Sequence, residues 1–69
     1  MNNNLLKEMK VKIKSFNGEL PSYLTVGKVY DAEMESKTGG KIINDDGEKI
    51  YIFTPSCSHL NDGSWEVVE

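Results

Sequence analysis

Six carboxylates have the residue types and spacing best suited to chemistry in this chain. They fall in two groups: Asp31, Glu33 and Glu35 in a strand-like stretch, and Asp45, Asp46 and Glu48 around a turn. Because side chains alternate along a strand, the first three would share one face. A row of carboxylates can imitate a row of phosphates and bind a basic protein surface. The alternative is a solvated exterior face that has no partner.

A basic stripe precedes the acidic one in the sequence. The segment Met9–Lys14 alternates apolar residues with lysines, which predicts a half-buried strand with Lys10, Lys12 and Lys14 pointing outward. Such a stripe could contact the phosphates of a nucleic acid. If this strand lies beside the acidic strand, the two stripes would instead pair with each other, and exposed ion pairs contribute only about 0–1 kcal/mol each. Strand adjacency therefore decides whether either stripe is free.

The charge balance favours a protein partner over nucleic acid. The 69 residues include eight lysines, no arginine and eleven acids, which give a formal net charge of −3. Without arginine, guanine reading by Arg is excluded, and the planar guanidinium fork that usually provides bidentate recognition of phosphate or carboxylate is absent. A net negative charge also opposes approach to a duplex. Nucleic acid, bound through the stripe Lys10–Lys14, is therefore the alternative hypothesis.

Cys57 and His59 are close in sequence but do not make a catalytic or metal site. A thiolate nucleophile needs a base and an orienting group, and a metal ion needs three or four ligands. The turn spacing of this chain predicts a small β-barrel, and a barrel of this size fills its own interior, which leaves no pocket for acid–base chemistry by paired carboxylates. We therefore expect no catalytic residues, no metal and no cofactor.

Cysteine usage and hydropathy bear on the compartment. One cysteine cannot form an internal disulfide, which fits a reducing cytosol. No apolar run is long enough for a signal peptide or for the ~20 residues of a membrane span. The sequence thus predicts a cytoplasmic protein.

Aromatic residues are the second candidate for partner contact. They are Tyr23, Tyr30, Tyr51, Phe53 and Trp65. Together they exceed what a small core requires. A groove of aromatic side chains can hold a Pro-rich peptide, and Tyr23, Trp65 and Pro55 are the positions expected to form it. The alternative is that Trp65 and Phe53 close the core.

Turn residues divide the chain into five short strands. The expected strands are residues 9–14, 28–36, 41–44, 49–54 and 64–68. A long loop, 15–25, follows the first strand, and residues 37–40 (Lys-Thr-Gly-Gly) form a turn. The Asp-Gly pair within 45–48 predicts a tight hairpin.

The segment before the last strand and the N-terminal residues each have a separate prediction. Pro55 cannot continue a ladder, so residues 55–60 are expected to form one helical turn capped by Ser56. Residues 1–8 read as an N-terminal extension, flexible or a short helical turn, ahead of a domain covering 9–69. The fold class is therefore all-β: a small five-stranded SH3-like barrel with a long first loop and a helical turn before the last strand.

Three motifs carry a resemblance to a known group of proteins. They are Leu-Thr-Val-Gly-Lys-Val-Tyr at 24–30, Ile-Asn-Asp-Asp-Gly-Glu at 43–48 and Trp-Glu-Val-Val-Glu at 65–69. In these, residues 9–69 resemble short bacteriophage and prophage proteins with SH3-like barrels, mostly of unassigned function. The first eight residues and the Cys-Ser-His stretch depart from the pattern, and no functional residues carry over.

Taken with the residue patterns, the resemblance predicts a non-enzymatic phage-type accessory protein that binds a host or viral protein in the host-cell cytoplasm. A small core and an exposed edge strand leave both a monomer and a homodimer open. A structural piece of a virion, or one member of a toxin–antitoxin-like pair, is a further possibility. The expected contact residues are the acidic groups at 31, 33, 35, 45, 46 and 48, together with Tyr23 and Trp65.

Overall fold

Five antiparallel strands and one 3-10 turn make up the structure, a computed structural model that describes residues 7–68. In chain order they are β1 (Lys7–Ser15), β2 (Tyr30–Met34), β3 (Gly39–Ile43), β4 (Lys49–Phe53), the 3-10 turn (Ser58–Leu60) and β5 (Ser64–Val67). The strands form one sheet in the order β4-β3-β2-β1-β5, so β4 and β5 are its edges. The all-β prediction is confirmed, and the sheet is not closed by a ladder between β4 and β5.

The inner face of the sheet carries the core. On β2, Tyr30, Ala32 and Met34 are buried, while Asp31 and Glu33 point outward, as the alternation predicts. The other buried apolar residues are Val11, Ile13, Leu24, Ile42, Ile52, Cys57, Leu60 and Trp65. Within residues 7–68, no helix is both long and apolar enough to cross a membrane.

Strand β1 begins earlier than the sequence predicts. Lys7 pairs with Met34 and Glu8 with Glu33, so these two residues belong to the sheet and not to an extension. The rest of the expected extension, residues 1–6, lies outside the described residues. Strand β2 is shorter than predicted at both ends, because turns flank it: Lys28 N donates to Thr25 O before it, and the backbone turns back onto β3 after it.

Gly39 and Gly40 lie in β3, which corrects the prediction that they belong to a turn. A Cβ atom on Gly40 would stand 2.5 Å from the carbonyl oxygen of Glu33 and 2.8 Å from Cα of Met34. On Gly39 it would stand 2.6 Å from Oη of Tyr51. At Gly40 glycine is therefore needed for close approach to the backbone of β2, whereas at Gly39 the obstacle is the flexible end of the Tyr51 side chain; neither position needs a left-handed backbone.

The tight hairpin between β3 and β4 matches its prediction. Its turn is held by the buried side chain of Asn44, whose Oδ1 accepts hydrogen bonds of 2.9 Å from the backbone N–H of both Asp46 and Glu48. Gly47 has a φ of 83°, a left-handed conformation that glycine adopts at no steric cost.

The segment between β4 and β5 differs from its prediction. The 3-10 turn covers only Ser58–Leu60, and its N-cap is Cys57 with no side-chain capping bond, so the expected cap by Ser56 is wrong. Cys57 is extended because it bridges Gly63, to whose carbonyl it donates at 2.8 Å. Next to this bridge, Trp65 N donates to Thr54 O at 2.8 Å, which links β5 to the residue that follows β4.

Candidate protein-interaction surface

The acidic and basic stripes lie on neighbouring strands of the outer face. Strand β1 pairs with β2, and the register places Lys10 directly opposite Asp31. The Lys10 ammonium lies 2.6 Å from the Asp31 carboxylate. The basic and acidic strands are therefore adjacent, and at this position their charges neutralise each other.

The other two acids of the strand face also have lysine partners. Glu33 lies 3.6 Å from the ammonium of Lys49, and Glu35 lies 3.1 Å from that of Lys41. These lysines come from β4 and β3, not from β1. Exposed pairs of this kind add little stability, but they remove the continuous negative field that an imitation of phosphates requires.

The basic stripe is reduced in the same way. The Lys12 ammonium lies 4.0 Å from the carboxylate of Glu66 on the neighbouring strand β5, and Lys10 is paired with Asp31. Lys14 is exposed and makes no ion pair within residues 7–68. The structure thus leaves one lysine of the predicted nucleic-acid stripe without a neighbouring carboxylate in the described part of the chain.

Asp45, predicted as a partner contact, is the centre of an internal hydrogen-bond network. Its carboxylate accepts from Thr25 Oγ1 at 2.6 Å, from Lys28 Nζ at 2.6 Å and from the Tyr30 hydroxyl at 3.0 Å. The hydrogen bond from Lys28, followed by the bond from Thr25, lowers the pKa of Asp45 below its ordinary value. Asp45 therefore fastens the first loop to the hairpin turn.

The partners of Asp45 respond to it as well. The hydrogen bond to Asp45 raises the pKa of Lys28. Burial is the main cause that raises the pKa of Tyr30. The other two hairpin acids, Asp46 and Glu48, are exposed and make no ion pair within residues 7–68. Asp46 and Glu48 therefore differ from Asp45 in lacking an ion-pair partner in the described part of the chain.

Two aromatic residues predicted to contact a partner are partly or fully buried in the fold. Trp65 is 3% exposed and packs edge-to-face against Tyr30, with ring centroids 5.8 Å apart, so it has almost no surface to offer. Its Nε1 is buried and has no hydrogen-bond partner within residues 7–68. Tyr23 is half-buried, and its hydroxyl lies 2.8 Å from Nδ1 of His59. Pro55 is exposed.

Tyr51 and Phe53 form an exposed aromatic patch on the outer face of β4. They are 38% and 49% exposed, and their rings meet edge-to-face at 5.1 Å. The expectation that Phe53 closes the core is wrong, because Ile50 and Ile52 occupy the inward positions of this strand. The signal was present in the sequence: two aromatic residues alternate with two isoleucines, so one pair had to face outward.

A charged groove of about 620 Å³ runs across the outer face beside the aromatic patch. Three acids and three lysines line it with one exposed apolar side chain: Glu8, Asp31, Glu33, Lys10, Lys41, Lys49 and Ile43. The groove therefore carries both signs of charge in close alternation. A surface of this kind selects a partner by the arrangement of charges rather than by a net field.

Cys57 and His59, the two residues considered for catalysis or metal binding, both make contacts inside the fold. Cys57 is a free thiol, 1% exposed, and His59 contacts Tyr23. Among residues 7–68, no three His, Cys, Asp or Glu side chains are grouped so that they could hold a metal ion. Comparison of the chain with protein-family models, with curated proteins and with solved structures finds no match. The resemblance to short phage proteins stays a prediction.

Proposed function

We propose that this protein acts by binding another protein, without catalysis, and that the aromatic patch of Tyr51 and Phe53 is its main contact. The observation that best supports this proposal is that Tyr51 and Phe53 are 38% and 49% exposed on the edge strand of the sheet. Aromatic side chains bury a large area at little entropic cost, and they are enriched at the centres of protein interfaces. A partner with an apolar anchor would cover them.

The charged groove supports the same proposal. A partner seated on the aromatic patch would also reach Lys41 and Lys49, which line the groove between the patch and Asp31. Alternating charges there would fix its orientation and reject surfaces of the wrong pattern. The acidic face alone is a weaker contact, because Glu33 and Glu35 each have a lysine partner.

The identity of the domain is part of the proposal. We infer an SH3-like barrel from the strand order, the long first loop, the 3-10 turn before the last strand and the bond from Trp65 N to Thr54 O. With the motif resemblance, this supports a phage-type accessory protein that meets a host or viral protein in the host-cell cytoplasm.

Nucleic acid is the weaker alternative. Exposed aromatic rings near lysines can stack the bases of a single strand. Against this, Lys10 and Lys12 are paired with acids, as are Lys41 and Lys49 beside the patch. The net charge of −3 also repels phosphates.

Affinity capture from a bacterial lysate, followed by mass spectrometry and titration of the purified partner, tests the proposal. The baits are the unmodified chain, Phe53→Ser, and the double variant Asp31→Lys with Glu33→Lys. We expect Phe53→Ser to weaken partner binding by about tenfold or more, because it removes an exposed aromatic anchor. The double charge reversal should retain the partner within a few-fold.

Opposite results would separate the alternatives. If charge reversal abolishes capture while Phe53→Ser retains it, the acidic face is the contact and the aromatic proposal is wrong. A low-salt mobility shift with a single-stranded oligonucleotide, lost steeply as salt rises, would support the nucleic-acid alternative instead. Circular dichroism and thermal unfolding establish that each variant is folded.

A further inference from the structure

The edge strand β4 uses only every second residue to pair with its neighbour. Just beyond its end, Thr54 N donates to Thr38 O at 2.8 Å, and just before its start, Glu48 O accepts from Asn44 N at 2.8 Å. In an antiparallel ladder, hydrogen-bonded pairs recur at alternate residues. Even-numbered residues of β4 therefore bond to β3 along its whole length.

The odd-numbered residues of β4 consequently present their backbone groups to the open edge. Lys49, Tyr51 and Phe53 turn N–H and C=O away from β3, and no other backbone hydrogen bond within residues 7–68 uses them. The same three residues carry the exposed side chains of the strand. An exposed, unpaired edge rich in aromatic residues is a template for a further strand.

We propose that the further strand is β4 of a second copy of this chain, paired antiparallel about a two-fold axis at Tyr51. In this register Tyr51 faces Tyr51 of the second copy, and Lys49 faces Phe53 of the second copy. Every outward residue of one copy then meets an outward residue of the other. The interface is self-complementary, as a two-fold dimer requires.

Neighbouring registers do not fit as well. Moving the axis to Ile52 would place Pro55 opposite Lys49, and proline has no N–H to donate. Moving it to Ile50 would place Gly47 opposite Phe53, but Gly47 lies in the hairpin turn with a φ of 83°. The strand length, Lys49–Phe53, therefore selects the axis at Tyr51.

The side chains at this junction are chemically compatible. Lys49 of one copy would lie opposite Phe53 of the other along the backbone, so no two lysines would face each other, and each Lys49 ammonium can keep its 3.6 Å contact with Glu33 of its own chain. Because the two-fold axis is perpendicular to the sheet, both aromatic patches would lie on the same outer face and merge. This inference does not rest on the proposed partner, since it concerns the edge and not the face.

Two measurements on the unmodified protein test the dimer. Sedimentation over a series of concentrations should show a transition from the mass of one chain to the mass of two. Over the same series, amide hydrogen exchange should slow at Lys49, Tyr51 and Phe53, while Ile50 and Ile52 stay protected throughout. A single-chain mass at all concentrations would overturn the proposal, as would a dimer in which the three outward amides exchange freely.

A matched pair of variants sharpens the result. Tyr51→Lys would place two ammonium groups opposite each other at the axis, so we expect a single-chain mass at every concentration. Val26→Lys adds the same charge at a 56% exposed position in the first loop, away from β4, and should remain dimeric. A folded Tyr51→Lys variant that still dimerises would contradict the β4 interface, whatever the result of the partner capture.

Discussion

The hydroxyl of Tyr30 donates a 3.0 Å hydrogen bond to the carboxylate of Asp45. The same hydroxyl accepts a 2.8 Å bond from the backbone N–H of Thr25, while the ring, 3% exposed, packs against Trp65 in the core. One side chain thus connects the core, the end of the first loop and the β3–β4 hairpin turn. Asp45 therefore has a structural role, because it connects the first loop to the hairpin turn.

Removing that hydroxyl should destabilise the protein measurably. Tyr30→Phe keeps the buried ring but leaves Thr25 N–H and Asp45 each without one hydrogen bond. We expect the free energy of unfolding to fall by about 1–3 kcal/mol, with an unchanged m-value in urea. Tyr51→Phe is the matched control: its hydroxyl makes no side-chain hydrogen bond within residues 7–68, so the change should stay within about 0.5 kcal/mol. Equal losses in both variants would contradict the role of the Tyr30 hydroxyl.

Acid should weaken the same network. The pKa of Asp45 is lowered in the folded state from an ordinary 3.8, chiefly by the bond from Lys28. A carboxyl with a lowered pKa contributes stability that is complete above 3.8 and lost as the pH falls through its folded-state pKa. In urea unfolding at several pH values, the unmodified chain should be more stable than Asp45→Asn by a constant amount from neutrality down to about pH 3.8. Below pH 3.8 this difference in unfolding free energy should become smaller.

The adjacent residue supplies the control for this pH dependence. Asp46 is exposed and makes no ion pair within residues 7–68, so Asp46→Asn should leave the acid limb of the stability profile almost unchanged. A gap for Asp45→Asn that stays constant down to strong acid would mean that its charge does not stabilise the fold.

The paired glycines of β3 should differ in their tolerance of a methyl group. Gly40→Ala would press Cβ against the backbone of Glu33 and Met34, which can yield only if the sheet shifts, so we expect a loss of about 1–3 kcal/mol. Gly39→Ala meets the side chain of Tyr51, which can rotate into solvent, and should cost less. Thermal unfolding of both variants checks the order, and a larger loss for Gly39→Ala would contradict it.

Local patterns sufficed to predict the strands and their inward faces. The alternation in Met9–Lys14 and in Tyr30–Met34 reports burial because side chains of a strand face opposite sides in turn. The Asp-Gly pair likewise predicts the hairpin, since its turn needs a residue that accepts positive φ. Such signals depend on residues close together in the chain, and a sequence displays them directly.

The partners of each charge could not be obtained in that way. Glu33 meets Lys49 and Glu35 meets Lys41 only because β2, β3 and β4 lie side by side in a particular register. Gly39 and Gly40 are a second case. In the sequence they are typical of a turn, and only the packing of neighbouring strands shows that they belong to β3.

The Leu24–Met34 stretch shows where this division falls. Its sequence already separates a buried face, Tyr30, Ala32 and Met34, from an acidic one. Whether the acids are free depends on contacts between residues far apart in the chain, such as Lys10 with Asp31. Tertiary structure alone decided that these acids have lysine partners and that Tyr51 and Phe53 stay exposed on β4, because strand order and register fix which side chains meet.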